Sequence, residues 1–331
     1  MIWFTWRQFR TPAIIAAGAL AVFAVVLLVS RGSMTDLYAD VAACQSDCGN
    51  AIDGFLTRFH NSAGGTIYYT GLAIMYAAPP LIGVFWGAPL VAREIEAGTH
   101  RLAWSQSISR TRWLATKLGL VGAATAAATG LLSWAVTAWS SRVDSAAADR
   151  ITPLVFGGRG LVPVAYAIFA FTLGVTVGML IRRTIPAMAT TLGLYAVAVA
   201  AMPFWLRTHL APATHDTPPL DMTKLDGLMI NQSGDVMIEP DPIPNAWTIT
   251  NRAITTTGEA FTGPADPTKC GPSLPNGSCS NWVGSLGLRQ DVVYHPDSQF
   301  WTLQWIETGV FLTLAAILAA VSFYWLRRRL T

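Results

Sequence analysis

Charge is what this sequence has least of. Asp, Glu, Lys and Arg make up 12% of its 331 residues, against roughly 25% in ordinary soluble domains. With 52% hydrophobic residues and a mean hydropathy of +0.42, a soluble globular surface is excluded, because too few polar side chains remain to hydrate one. Enzymatic signatures are missing as well. No Gly-x-Ser-x-Gly, His-Glu-x-x-His or Ser-x-x-Lys occurs, and no Gly-x4-Gly-Lys-[Ser/Thr] phosphate loop. The chain therefore has no usual means of binding ATP, and an ATP-driven role requires a partner. Cysteine is scarce, with four residues, none of them in a long apolar run.

Long apolar runs are what the sequence has in abundance. A hydrocarbon core about 30 Å thick needs about 20 mostly apolar residues per helix. Six windows of that length occur, at 12–30, 67–92, 114–139, 161–181, 184–206 and 301–326. Only Arg182 and Arg183 separate the fourth from the fifth, which forces a tight helical hairpin. The first follows Arg7 and Arg10 as a secretory signal would, but it is as long as a full span and Val29-Ser30-Arg31-Gly32 offers no small-x-small cleavage site. It is read as a retained helix. Pro79, Pro80 and Pro89 predict a break or kink in the second span. Gly83-x3-Gly87 and Gly174-x3-Gly178 permit close helix approach, with a subunit interface as one use and ordinary packing as the other.

Basic residues set the orientation. With both termini inside, the cytoplasmic face carries 12 of the 22 basic residues and only Glu94 and Glu96 of the 19 acids. The net charge of +3 thus reports topology, not nucleic-acid binding. The expected division is an amphipathic interfacial helix at 1–11, with Ile2, Trp3, Trp6 and Phe9 opposite Arg7 and Arg10. Spans one to five follow at 12–206, with an external loop at 32–66 and a cytoplasmic loop at 93–113. An extracytoplasmic cap occupies 207–300, and the sixth span with a basic tail occupies 301–331. The cap is rich in Pro, Asp, Thr and Gly; it reads as small and irregular or β, not autonomous, with a strand near Gly234-Asp235-Val236-Met237-Ile238.

Cys44, Cys48, Cys270 and Cys279 all fall in the two longer external segments, where disulfides can form. Three connectivities are open, and crossed pairs would staple the two segments together. Metal binding is disfavoured because only His60 lies near one of the pairs. The only candidate for an ionisable residue at mid-membrane is Glu307, placed near the outer interface, against the cap, or in a gating or substrate role. That scarcity disfavours an ion-driven carrier. Tyr68, Tyr69, Tyr76 and Trp86 on the second span are weak candidates for an apolar substrate path.

The most patterned stretch is the polar island 93–113. Its acids, Glu94 and Glu96, come first and its bases, Arg110 and Arg112, come last, which complements the dipoles of short helices. Leu102, Trp104, Ile108 and Trp113 add apolar contacts. Such an element suits either a groove on a cytosolic partner or the membrane surface.

The run Gly87-Ala88-Pro89-Leu90-Val91-Ala92-Arg93-Glu94-Ile95-Glu96-Ala97-Gly98-Thr99-His100-Arg101-Leu102-Ala103-Trp104 resembles the second-span-to-loop signature of type 2 exporter ABC transporter permeases, particularly their actinobacterial branch. The opening Trp3-Phe4-Thr5-Trp6-Arg7-Gln8-Phe9-Arg10 and the closing Trp301-Thr302-Leu303-Gln304-Trp305 with Arg327-Arg328-Arg329 resemble it too. The resemblance implies an all-α polytopic membrane protein with six transmembrane helices, an N-terminal amphipathic helix and a cytoplasmic coupling helix. It implies two permease copies, as a homodimer, and two cytosolic ATPase subunits that carry ATP and Mg, so that this chain binds no cofactor. Glu94, Glu96, Arg101 and Trp104 would then couple ATPase closure to the spans, and the cargo would be an amphipathic drug, lipid or peptide. Two other classes stay open. One is a membrane-anchored enzyme using Asp221, Asp226, Asp235, Asp241 and His295, and the other is a non-transporting sensor or scaffold.

Overall fold

The computed structural model describes residues 2–46, 48–99, 109–223, 225–231, 233–266, 268–270, 275 and 277–328. It divides into two compact units, Met1–Leu210 with Trp301–Thr331, and the inserted Ala211–Phe300. In chain order the helices are α1 (Ile2–Leu37), α2 (Ala39–Ala43), α3 (Gly49–His60), α4 (Ala63–Ile82), a π-helical turn (Gly83–Gly87), α5 (Ala88–Glu96), α6 (Arg110–Ala147), α7 (Pro153–Phe156), α8 (Val162–Ile181) and α9 (Thr184–Ala201), which a second π-helical turn (Met202–Leu206) and a 3-10 turn (Arg207–His209) extend. Within the insert come β1 (Thr214–Asp216), β2 (Leu225–Ile230), β3 (Val236–Pro240), β4 (Ala246–Ile254), α10 (Ser278–Ser285) and β5 (Arg289–Pro296), and α11 (Phe300–Arg328) closes the chain.

Six helical stretches are long and apolar enough to cross a membrane: Phe9–Leu37, Ala63–Glu96, Arg110–Ala147, Val162–Ile181, Thr184–His209 and Asp297–Arg328. Of the apolar window, 78% is buried in Val162–Ile181 but only 6% in Phe9–Leu37, so α8 is the centre of the bundle and α1 lies at its periphery. Lipid tails are as apolar as leucine, so the centre must be held by close fit and polar contacts rather than by hydrophobic drive. Glycine supplies the close fit. A methyl group at Gly87 would lie 2.5 Å from the Phe171 carbonyl oxygen, and one at Gly178 would lie 2.6 Å from that of Ala88. The two Gly-x3-Gly pairs thus pack against each other within one chain.

The second span bends by a π-helical turn and does not break. Pro89 has no N–H to return to the preceding turn. The turn absorbs this by widening the ladder, so that the Ala88 N–H bonds the Gly83 carbonyl five residues back. Pro79 and Pro80 stay inside α4.

Several boundaries need correcting. Ile2–Leu37 is one continuous helix with Pro12 inside it, so no break separates residues 2–11 from the first span. The loop expected at 32–66 is largely helical: it contains the end of α1 together with α2 and α3. The third span runs past Trp139 to Ala147, with Asp144 on its buried face. The segment after it is no exposed loop, for Ile151, Val155, Phe156 and Arg159 are all buried.

Cys44 pairs with Cys48 and Cys270 with Cys279, so both disulfides are local and the crossed connectivities are excluded. The insert is not irregular. β1, β5 and β4 form an antiparallel sheet in that order, and β2 pairs with β3 as a hairpin. Its turn uses Gly234 at φ +87°, a backbone conformation that glycine adopts without strain. Val236, Ala253, Val283 and Leu288 build a core belonging to the insert alone, the valines and the leucine each contributing roughly 1.5–3 kcal/mol where water is excluded.

Candidate functional site

Two sets of polar contacts organise the helical unit, one at each end of the bundle. At the end where the second span leads into residues 97–109, the Glu94 carboxylate on α5 accepts a 2.6 Å bond from Lys117 on α6. Lys117 also donates to the Leu90 carbonyl at 3.1 Å, and it is 1% exposed. The Trp113 ring lies 4.9 Å from its ammonium. Ser109 begins α6 by accepting from the Arg112 N–H at 3.4 Å, the usual capping use of serine. Two residues beyond Glu94, Glu96 accepts from Thr184 twice, at 2.9 Å from its backbone N–H and 2.7 Å from its hydroxyl. A carboxylate there complements the dipole at the N-terminus of α9. The two acids of the island therefore fasten its base to α6 and α9. Arg101 and Trp104, the other two coupling candidates, lie outside the described residues.

At the opposite end, two buried carboxylates each meet an arginine and a tyrosine. Asp144 of α6 accepts from Arg159 Nε at 2.8 Å, Tyr68 Oη at 2.8 Å and Ser140 Oγ at 3.0 Å. Glu307 of α11 accepts from Arg207 Nε at 2.7 Å and Nη2 at 3.0 Å. Tyr166 of α8 donates to it as well. Arg159 and Arg207 are each 1% exposed and lie over the rings of Tyr68 and Phe156. Bidentate arginine suits a carboxylate in a planar fork, and burial makes each contact stronger than in water.

Between these clusters runs the segment 149–162, which contains the single turn α7 and is held in place by side chains from neighbouring helices. Gln304 accepts from the Leu161 and Val162 N–H groups at 2.9 and 3.1 Å, and donates to the Phe156 and Arg159 carbonyls at 3.2 and 3.1 Å. Tyr76 donates to the Leu154 carbonyl at 2.8 Å, and Ser133 to that of Gly160 at 2.6 Å. Every hydrogen-bonding group of the Gln304 amide is used, so the segment is fixed on α11 from both sides. Burial, and next the charge of Asp144, push the Asp149 carboxyl in this segment above its usual value.

This geometry corrects one expectation. Buried charge is not scarce, since the pairs Lys117–Glu94, Arg159–Asp144 and Arg207–Glu307 are all inside. Glu307 itself is fully buried within the protein, against Arg207. Of the suggested path residues, Tyr68 and Tyr76 have their hydroxyls engaged here, Tyr69 is exposed, and Trp86 packs edge-on against Phe9 with ring centroids 4.8 Å apart, near the other end. The four do not gather at one site.

In the insert, three of the five residues proposed for an enzyme site are engaged by near neighbours in sequence. Asp221 caps Thr223, Asp235 meets Asn231, and His295 meets Gln299. Among the described residues no group of His, Cys, Asp and Glu could hold a metal ion. The carboxylate that does gather partners is Asp291, which accepts from His215 at 2.6 Å and Arg252 at 2.8 Å. Those two hydrogen bonds hold its carboxyl below the usual range.

No curated protein matches the chain. No solved structure matches it either. A family model described as ABC-2 membrane transporter related matches residues 17–207, more than half of the chain, from within the first span almost to the end of the fifth. The chain belongs to the ABC-2 membrane transporter related family.

Proposed function

We propose that this chain is the membrane-spanning permease subunit of an ATP-driven exporter, working as two copies with two separate ATPase subunits that bind ATP and Mg. The observation that carries the reading is the family match across the first five spans, in a chain that has no phosphate loop of its own. Both termini and the island 93–113 face the cytoplasm, as the distribution of basic residues favours. Glu94 and Glu96 then act at the base of the coupling element. A displacement of the island reaches α6 through Lys117 and α9 through Thr184, because these contacts leave little slack. Arg101 and Trp104 supply the face that meets the ATPase.

The cargo is amphipathic, a drug, lipid or peptide, in keeping with the apolar walls of the bundle. The buried carboxylates are compensated by arginine, which favours a structural role over proton relay. The test is co-purification with an ATPase encoded beside this chain, followed by ATP turnover of the reconstituted complex. Turnover that responds to cargo in the native complex and loses that response in Trp104→Ala supports the reading. A complex that assembles but hydrolyses ATP identically in both would count against it.

A further inference from the structure

Two cavities on the flank of the bundle meet at Phe85 and Trp86. One, of about 500 Å3, lies at the island end and is lined by Thr5, Phe9, Arg93, Glu94 and Thr99 among others. The other, of about 460 Å3, runs along α1, α4 and α6 past Ala16, Phe23, Ile74, Ala78 and Leu132. Each falls within the range of small-molecule sites, roughly 300–1,000 Å3. Joined, they make a groove with a polar head and a wholly apolar tail.

The head is built for an anion. Glu94 contributes no free charge, because Lys117 neutralises it at 2.6 Å. Arg93 is exposed beside it and has no hydrogen bond or ion pair among the described residues, which leaves one uncompensated positive charge at the mouth. Thr5 is 1% exposed, yet its hydroxyl has no partner among the described residues. A buried hydroxyl without a partner is costly, and rotation of the Thr5 side chain toward the cavity it lines would let a ligand oxygen satisfy it. The tail offers only carbon over most of its wall, too narrow in chemistry for a peptide and suited to a hydrocarbon chain.

We propose that this groove holds one anionic phospholipid of the surrounding membrane, with an acyl chain between α1 and α4 and its phosphate at Thr5 and Arg93. The site borders the Lys117–Glu94 pair without drawing on its charge, and it does not rest on the transport reading. An acyl chain there fills the gap between the peripheral α1 and the rest of the bundle, so the lipid acts as a wedge that fixes the first span.

The experiment is native mass spectrometry of the detergent-purified full chain, titrated with dioleoyl phosphatidylglycerol or dioleoyl phosphatidylcholine. The native chain should retain one phosphatidylglycerol in preference to phosphatidylcholine. Arg93→Gln should cut that preference about fivefold, the worth of one cation near a headgroup, while still holding a lipid. Thr5→Val should weaken retention of both lipids. Ala16→Phe with Ala19→Phe, which fills the tail from the α1 side, should abolish retention with the thermal unfolding midpoint of the lipid-free chain preserved. Equal retention of the two lipids by the native chain would overturn the proposal. So would a Thr5→Val chain that is more stable but binds lipid unchanged, since its hydroxyl would then be merely stranded.

Discussion

Glu307 and Arg207 meet in a two-point hydrogen-bonded pair, at 2.7 and 3.0 Å, although 100 residues of chain separate them. The pair ties the end of the fifth span to the sixth, and the whole insert lies between its two members in sequence. Removing one partner strands a buried charge, which typically costs about 3–5 kcal/mol. Glu307→Ala should therefore lower the thermal unfolding midpoint of the purified chain sharply. Glu307→Leu combined with Arg207→Met should recover most of the loss, because no charge is left unpaired. A single variant as stable as the native chain would show that water reaches the site.

Lys117 makes the same argument at the island end. Glu94→Ala leaves its ammonium buried without its carboxylate, whereas Glu94→Gln keeps a hydrogen-bond acceptor. In the reconstituted complex, Glu94→Ala should lose cargo-stimulated ATP turnover about tenfold or more, on the scale of a lost charge-assisted bond. Glu94→Gln should retain a substantial part. Equal coupling in the two variants would remove Glu94 from the coupling element.

How far the sequence spoke for itself depended on the range of the interaction. Six spans were legible because hydropathy is a local property, and disulfides were legible in four cysteines that all lie outside the apolar runs. Arg207 and Arg159 read as loop residues, since their partners Glu307 and Asp144 are found only by folding. A local signal for Asp144 did exist. Val136, Ser140, Val143 and Asp144 continue one buried helical stripe past Trp139, where the hydropathy window had already closed. The order of the insert was harder to read, because its core of Val236, Ala253, Val283 and Leu288 comes from four short elements spread over a proline-rich stretch.

Gly87 and Gly178 set the spacing of the second and fourth spans. Gly87→Leu should force α5 and α8 apart and cost at least 1–3 kcal/mol, the usual range for overpacking. Gly119→Ala is the control, since a methyl group there meets nothing within 4 Å. Thermal unfolding in detergent distinguishes them, and equal midpoints would show that the two helices are not in this contact.

The insert should respond to acid through Asp291. Hydrogen bonds from His215 and Arg252 lower its carboxyl pKa in the folded state, so ionised Asp291 favours folding. That contribution is complete above the unfolded value, about 3.9, and is lost as pH falls below it through the folded value. The stability of the insert, followed by hydrogen exchange of β4 and β5 amides in the full chain, should decline below about pH 4. Asp291→Asn should flatten that acid limb and leave a lower plateau at neutral pH.

Tryptic digestion without reductant tests the disulfides. Cys44 and Cys48 share the peptide 32–58, and Cys270 and Cys279 share 270–289. Each should appear as a single peptide two hydrogens lighter than its reduced form. Any peptide joining the two regions would contradict the local pairing.

The segment 149–162 has one more consequence. Its anchors come from α4, α6, α8 and α11 at once, through Tyr76, Ser133, Asp144, Tyr166 by way of Arg207, and Gln304. Parting these helices at that end strands several buried polar groups together, while at the island end the described contacts of the two carboxylates run to Lys117 and Thr184. The cheapest relative motion of the spans is therefore a rotation about the knotted end, with the largest displacement at the island, where a partner would push.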